Sequence, residues 1–267
     1  MDRKLGRRER PSRARITLAL ALVAIGLVSL DDQLASSSTG GGTPVTSRIV
    51  VGCTAGRGGP LMQGPRSRRV VALTFDDGPS ALYTPNVLAI LNRLHASATF
   101  FEEGRHVAGN EALMRQILAS GDEIGNHSFN HPEYPGYREL ASTNKRIRAA
   151  TGFTPCLFRP PYGLIDTKVE SAARRTWLRM VLWDVDSHDD KHPGAAVIHA
   201  RVLALTRPGS IILMHDGGRH PQTVQALPGV IRGLRARGFR FATVTQLTGG
   251  RFLFHRTVGW IKDGPGS

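Results

Sequence analysis

The 267 residues (29.0 kDa) suffice to bury one sizeable core, and α/β barrels of roughly 200–250 residues commonly form a single domain. The formal charge of +14 raises nucleic acid as a partner, but the excess lies at the two ends of the chain. Seven basic residues face Asp2 and Glu9 in 1–30, eight face no acid in 217–262, and 20 face 18 in between. With no basic stripe interleaved with aromatics in the middle, nucleic acid is set aside. An anionic surface, whether membrane or acidic wall polymer, fits better, beside the plainer reading of a solvated basic face.

In chain order, a cluster of arginines and Lys4 precedes 16–30, an uninterrupted run of small and aliphatic residues closed by Asp31 and Asp32. Residues 1–30 therefore read as a signal peptide or N-terminal membrane anchor, and the rest of the chain as exported. Gln33-Leu34-Ala35 is only loosely a small-x-small cleavage site, so both a cleaved leader and a retained tether stay open. Residues 31–66 follow as a flexible linker, rich in Ser, Thr and Gly over 36–44. The two cysteines, Cys53 and Cys156, lie beyond the export signal. In an oxidising compartment they could pair, closing a loop worth at most roughly 4–5 kcal/mol in the chain-entropy model. The alternative is a buried thiol at Cys156.

The folded domain is expected over 67–250, where short β-like runs alternate with helical patterns, the signature of βα units and a parallel sheet. Strands are predicted at 70–77, 98–101, 123–127, 157–159, 180–186, 210–216 and 240–244. Helices are predicted at 84–94, 111–119, 137–150, 166–175, 195–205 and 221–237. About seven such units predict a distorted (β/α) barrel as a single catalytic domain. Residues 251–267 form a tail carrying Phe252, Phe254 and Trp260 among basic residues.

Polar residues recur at the predicted strand ends: Asp76-Asp77, His127, Arg159, Asp186 and His215. In parallel α/β barrels this is the rim where active sites form. Paired carboxylates at the mouth of a buried strand are costly unless a cation, a metal or a catalytic use compensates them. His127 and His131 are four residues apart, so one turn would direct both imidazoles at a divalent ion with Asp77 or Asp76 as a third ligand. The bland alternatives are an ordinary turn at Asp76-Asp77, a strand terminator at His215 and a structural ion pair at Arg159. Trp183 reads as core.

Thr74-Phe75-Asp76-Asp77-Gly78, His127-Ser128-Phe129-Asn130-His131, Arg159-Pro160-Pro161-Tyr162, Asp186 to Asp189 and Leu213-Met214-His215 stand in this order over most of the exported chain. Together they resemble the five motifs of the polysaccharide deacetylases, the NodB-like domain of carbohydrate esterase family 4. That resemblance implies Asp77, His127 and His131 as ligands of a divalent metal, usually zinc, with cobalt or another divalent ion as alternatives. It implies Asp76 as general base, Arg159 as its partner and the Tyr162 backbone N–H as oxyanion donor. His215 would be the general acid, with Asp189 pairing either His215 or Arg159. Leu213, with Pro161 and Tyr162, would contact the substrate.

Two features depart from the family pattern. Asp190 stands where an aromatic usually walls the acetate pocket, and Glu102-Glu103 replace an apolar strand end. If they face the site, these acids would favour a cationic or hydroxyl-rich ligand. The implied activity is N-deacetylation of an acetylated glycan polymer, peptidoglycan first and chito-oligosaccharide second, by an extracytoplasmic, cell-wall-facing enzyme. O-deacetylation of xylan or another polysaccharide, and an idle wall-binding domain, are the rivals.

Overall fold

Among the described residues the first elements are β1 (Gly52–Thr54) and β2 (Val70–Gly78), followed by α1 (Thr84–Arg93), β3 (Ala98–Glu102), α2 (Gly104–Val107) and α3 (Glu111–Ala119). Next come β4 (Glu123–Asn126), α4 (Tyr137–Thr151), β5 (Leu157–Phe158), α5 (Thr167–Arg175), β6 (Arg179–Met180), β7 (Val185–Asp186) and α6 (Ala195–Leu205). The described residues close with β8 (Ile211–His215), α7 (Pro221–Ala236), β9 (Arg240–Phe241), α8 (Val244–Leu247) and β10 (Arg251–Leu253). This computed structural model describes residues 52–54 and 58–253. The expected leader or anchor, nearly all of residues 31–57, and the tail beyond 253 lie outside the described residues.

The main sheet runs β6-β5-β4-β3-β2-β8-β7, with β9 also on β2, and every pair is parallel. It curls into an incomplete barrel, as the βα alternation predicts. The sequence reading of 180–186 as one strand is corrected. That run splits into β6, which pairs with β5, and β7, which pairs with β8 at the opposite edge. The chain between them crosses the open side of the barrel, which is why the barrel is distorted. Leu61 N–H donates to Met180 O (2.9 Å), Leu182 N–H to Leu61 O (2.8 Å) and Gly64 N–H to Gly209 O (2.7 Å), so 61–64 fills part of the gap. The Asp184 carboxylate accepts from Ile211 N–H (2.8 Å) and the Ser210 hydroxyl (3.0 Å), standing in for missing ladder bonds. The predicted strand at 240–244 is likewise shortened to β9, because Thr243 and Gln246 form a capping box that starts α8.

Alternation along the strands divides the core. Val71, Leu73 and Phe75 of β2, Phe100 of β3 and Met214 of β8 pack outward against the helices. Val70, Ala72, Phe101 and Ile211 fill the interior with Val244 and Leu247 of α8. Burying such aliphatic and aromatic side chains contributes about 1.5–3 kcal/mol each. Cys53 is joined to Cys156 by a disulfide, which attaches β1 next to β5. The same two-residue period carries Thr74 and Asp76 inward at the top of β2, towards Arg159.

Candidate active site

Strict alternation would send Asp77 outward with Phe75. Instead Asp77 adopts φ 70°, and the β2–β3 register shifts between Asp76 and Gly78, so the bulge re-aims its carboxylate across the rim. Ser128 (φ 68°), His131 (φ 59°) and Tyr162 (φ 58°) are also left-handed. Such conformations cost of order 1–3 kcal/mol each in non-glycine residues and persist where the surroundings over-determine them.

Asp77 Oδ1 lies 3.3 Å from His127 Nε2 and 3.4 Å from His131 Nε2. It is buried without a hydrogen-bond partner, and the three donor atoms converge. Ligands about 2.0–2.1 Å from a tetrahedral zinc would be separated by about 3.3 Å, so the cradle fits a small divalent cation. His127 Nδ1 sits 2.8 Å from the Arg159 carbonyl, which can only accept. The proton is therefore on Nδ1, and Nε2 presents its lone pair to the cradle. Burial opposes the ionised form of Asp77, but the close approach of His127 and the nearby His215 and His131 imidazoles hold its carboxyl below the usual carboxylate range.

Asp76 sits beside this cradle. Arg159, fully buried, donates to Asp76 Oδ1 at 2.7 Å and to the Thr74 hydroxyl at 2.8 Å. The guanidinium also donates to the Val181 and Leu182 carbonyls and lies 4.2 Å from the Phe101 ring centre and 5.5 Å from that of Trp183. Its fixed position leaves Asp76 Oδ2 facing His127 Nε2 at 3.7 Å. The open choice for Asp189 is settled by distance: Oδ1 lies 2.8 Å from His215 Nδ1, and Oδ2 accepts from His215 N–H (2.8 Å) and the Thr223 hydroxyl (2.5 Å). Burial disfavours the charged imidazole, yet the Asp189 bond and charge, with Asp76 and Asp77 beyond, push His215 up to about 10. Burial acts against ionised Asp189 as well, and the same bond from His215 keeps its carboxyl low.

Leu213 lies in register with Thr74 on one side and Asp186 on the other. Pro161 is buried in the 3-10 turn Pro161–Gly163, and Tyr162 in that turn is exposed, its ring 4.6 Å from His131. Trp183 packs on Arg159 and against the backbone of Gly163, a supporting position.

Neither departure opens onto the cradle. Asp190 is exposed and pairs with Lys191 at 2.9 Å. Glu102 falls on the outward-facing side of β3 with Phe100, and its carboxyl packs with that of Asp216 around Gly78. Burial, then the Asp216 charge, raises Glu102 well above its ordinary value. Glu103 pairs with Arg105 at 2.5 Å. Residues given no role of their own in the sequence reading also contribute. Thr74 and Thr223 anchor Arg159 and Asp189, and His220 stacks 5.1 Å from His215 with His192 beyond it at 5.4 Å. Thr223 sits three residues after His220, the residue before α7, and only that helix start carries a signal in the sequence.

Fold and site together define a class: an incomplete parallel βα barrel with a divalent-cation cradle on its rim, flanked by an Arg-held carboxylate and an Asp-held imidazole. The family model for polysaccharide deacetylases matches residues 63–181. A peptidoglycan-N-acetylglucosamine deacetylase of Bacillus cereus is 38% identical over 191 residues, covering 68% of this chain and 90% of the relative. The peptidoglycan-N-acetylglucosamine deacetylase PgdA of Listeria monocytogenes is 35% identical over 196 residues, 71% of this chain; the match spans only 41% of that longer protein. A crystal structure of the peptidoglycan N-acetylglucosamine deacetylase Bc1960 superposes with a TM-score of 0.68 at 32% identity, covering 71% of this chain and 92% of that one. The chain belongs to the polysaccharide deacetylase family, whose carbohydrate esterase family 4 members are metal-dependent.

Proposed function

We propose that the chain is an extracytoplasmic N-deacetylase of an amino-sugar polymer, with peptidoglycan as first substrate class and chito-oligosaccharide as second. The observation that carries this reading is the separation of two adjacent acids into different surroundings. Asp77 completes a cation cradle, while Asp76 is held beside it by Arg159. Relatives named for peptidoglycan N-acetylglucosamine support the choice of polymer. The expected leader or anchor at 1–30, the catalytic domain at 67–250 and a wall-facing location belong to the same proposal.

In this reading Asp77, His127 and His131 hold the ion, and two imidazoles with one carboxylate suit zinc with positions left open. When bound, the ion acidifies a water and polarises the acetamide carbonyl. Asp76 Oδ2 accepts the proton released by the attacking water, and Arg159 orients that carboxylate through its bond to Oδ1. The Tyr162 N–H faces the charge that develops on the carbonyl oxygen. As the C–N bond breaks, His215 passes its Nε2 proton to the leaving amine, and Asp189 holds the ring by Nδ1. Leu213 and Pro161 wall the acetyl methyl. Acetate and a free amine leave.

Acetate release from N-acetylglucosamine oligomers, peptidoglycan and acetylated xylan, with zinc or cobalt added, tests the proposal. Release from the first two and little from xylan is the expected result. Asp76→Asn should lower kcat/KM by about 10²–10⁴ with metal content retained. Release from no acetylated glycan, with polymer binding intact in parent and Asp76→Asn alike, would establish the idle wall-binding domain instead.

A further inference from the structure

The barrel separates charge between its two ends. In a parallel βα barrel each strand starts where the preceding helix ends, so segments 66–69, 93–97, 119–122, 151–156, 174–179, 205–209 and 235–240 share one end. With Glu123 at the first position of β4 and Asp184 directly before β7, this end holds eleven arginines and three carboxylates; Asp122 and Glu123 are buried, Asp122 accepting from Ala98 N–H, and Asp184 accepts from Ile211 N–H. The rim segments 76–83, 102–110, 126–136, 159–166, 186–194 and 215–220 hold ten carboxylates and four Arg or Lys. Some arginines cap helix ends, as Arg69 does at the Arg237 carbonyl (2.9 Å) and Arg207 at that of Ala204 (2.9 Å). Capping occupies N–H donors and leaves the positive charge in place.

Two further features mark this end. Trp177 is 85% exposed, held left-handed (φ 58°) just after α5, preceded in sequence by Arg174 and Arg175 and followed by Arg179. An indole among arginines suits the boundary between lipid headgroups and acyl chains. The Cys53–Cys156 disulfide brings β1 to the start of β5, so the chain leading from the apolar run 16–30 joins the barrel at this same end, 22 residues after Leu30. Among the described residues no helix is long and apolar enough to cross a membrane, so contact here would be with a surface.

We propose that the arginine-rich end of the barrel docks on an anionic lipid bilayer and turns the active-site rim away from it, towards the wall. The proposal rests on the extracytoplasmic reading above and not on the chemistry of the site.

The full chain is placed in nanodiscs of phosphatidylcholine, with or without phosphatidylglycerol, each containing brominated lipid. Tryptophan quenching in the parent minus that in Trp177→Phe reports depth at this end. The expected result is at least twofold greater Trp177 quenching on the anionic discs. It should be lost in about 1 M salt, where the Debye length is ~3 Å, and in the triple variant Arg93→Glu/Arg174→Glu/Arg240→Glu. The 16–30 run is common to all variants and cancels in the comparison. Circular dichroism melting verifies folding, and the corresponding triple Gln variant, expected to show intermediate quenching, replaces the Glu variant if that fails to fold. Equal quenching on both discs, or no loss in the folded charge variants, overturns the proposal. Binding to soluble polyglycerol phosphate without the anionic-disc signal also overturns it, in favour of a wall polymer. None of these readouts needs acetate release, so an inactive protein would sink the functional reading and leave this one standing.

Discussion

His215 shows how much of a residue's chemistry depends on its partner. Its ordinary pKa of 6.5 is pushed up to about 10 despite burial, because Asp189 holds Nδ1 at 2.8 Å. The folded state keeps a proton that the unfolded chain loses between these values, so stability falls with rising pH across the interval. The stabilisation is complete below about pH 6.5 and is lost as pH passes 10. Chelator-treated protein should therefore show a Tm that declines from pH 6.5 to 10, and His215→Gln should flatten that decline in thermal melts. Asp76 and Asp77 contribute to the shift, so zinc, by offsetting their charge, should lower the His215 midpoint followed by NMR. An unchanged midpoint in zinc-loaded protein would contradict the placement of the ion beside Asp77.

At the scale of elements, the cradle depends on close approach between the ends of β2 and β8. Gly217 N–H donates to the Asp76 carbonyl (3.2 Å), and a Cβ built on Gly217 would lie 2.1 Å from the Asp77 carbonyl oxygen. That neighbour is backbone, so no side chain can swing aside. Gly217→Ala is expected to displace Asp77 and weaken zinc binding by about 10–100-fold, the range seen when the support of a metal ligand is disturbed. Calorimetric zinc titration of the folded variant measures this, and parent-like affinity would show that the turn yields elsewhere. The same scale explains the misread run at 180–186. Its apolar pattern resembles a single strand, but β6 and β7 serve opposite sheet edges, and periodicity carries no information about which neighbour a strand finds. Asp184, in the middle of that run, became legible only through its bonds to Ser210 and Ile211.

The molecule as a whole is held at its entry point by the Cys53–Cys156 disulfide, separated by 103 residues. Cys53→Ser/Cys156→Ser is expected to lower unfolding free energy by at most about 4–5 kcal/mol in urea titrations. Rim geometry should survive, because the bond lies at the far end of the strands. Metal affinity equal to that of the parent, with a lower urea midpoint, is the outcome that checks this separation of stability from site.

The amino-acid order alone determined the βα alternation, the acid pair at a buried strand end and the histidine spacing, because these are local patterns of period and residue type. Tertiary structure decided that Asp189 serves His215, that Glu102 turns away from the cradle and that Thr223 and His220 support the site, because each depends on which strands become neighbours. It also decided where the charge lies. The middle of the chain is nearly balanced in sequence, yet parallel βα winding brings arginines to one end of the barrel and carboxylates to the other. Composition cannot express that separation, since every βα unit contributes to both ends.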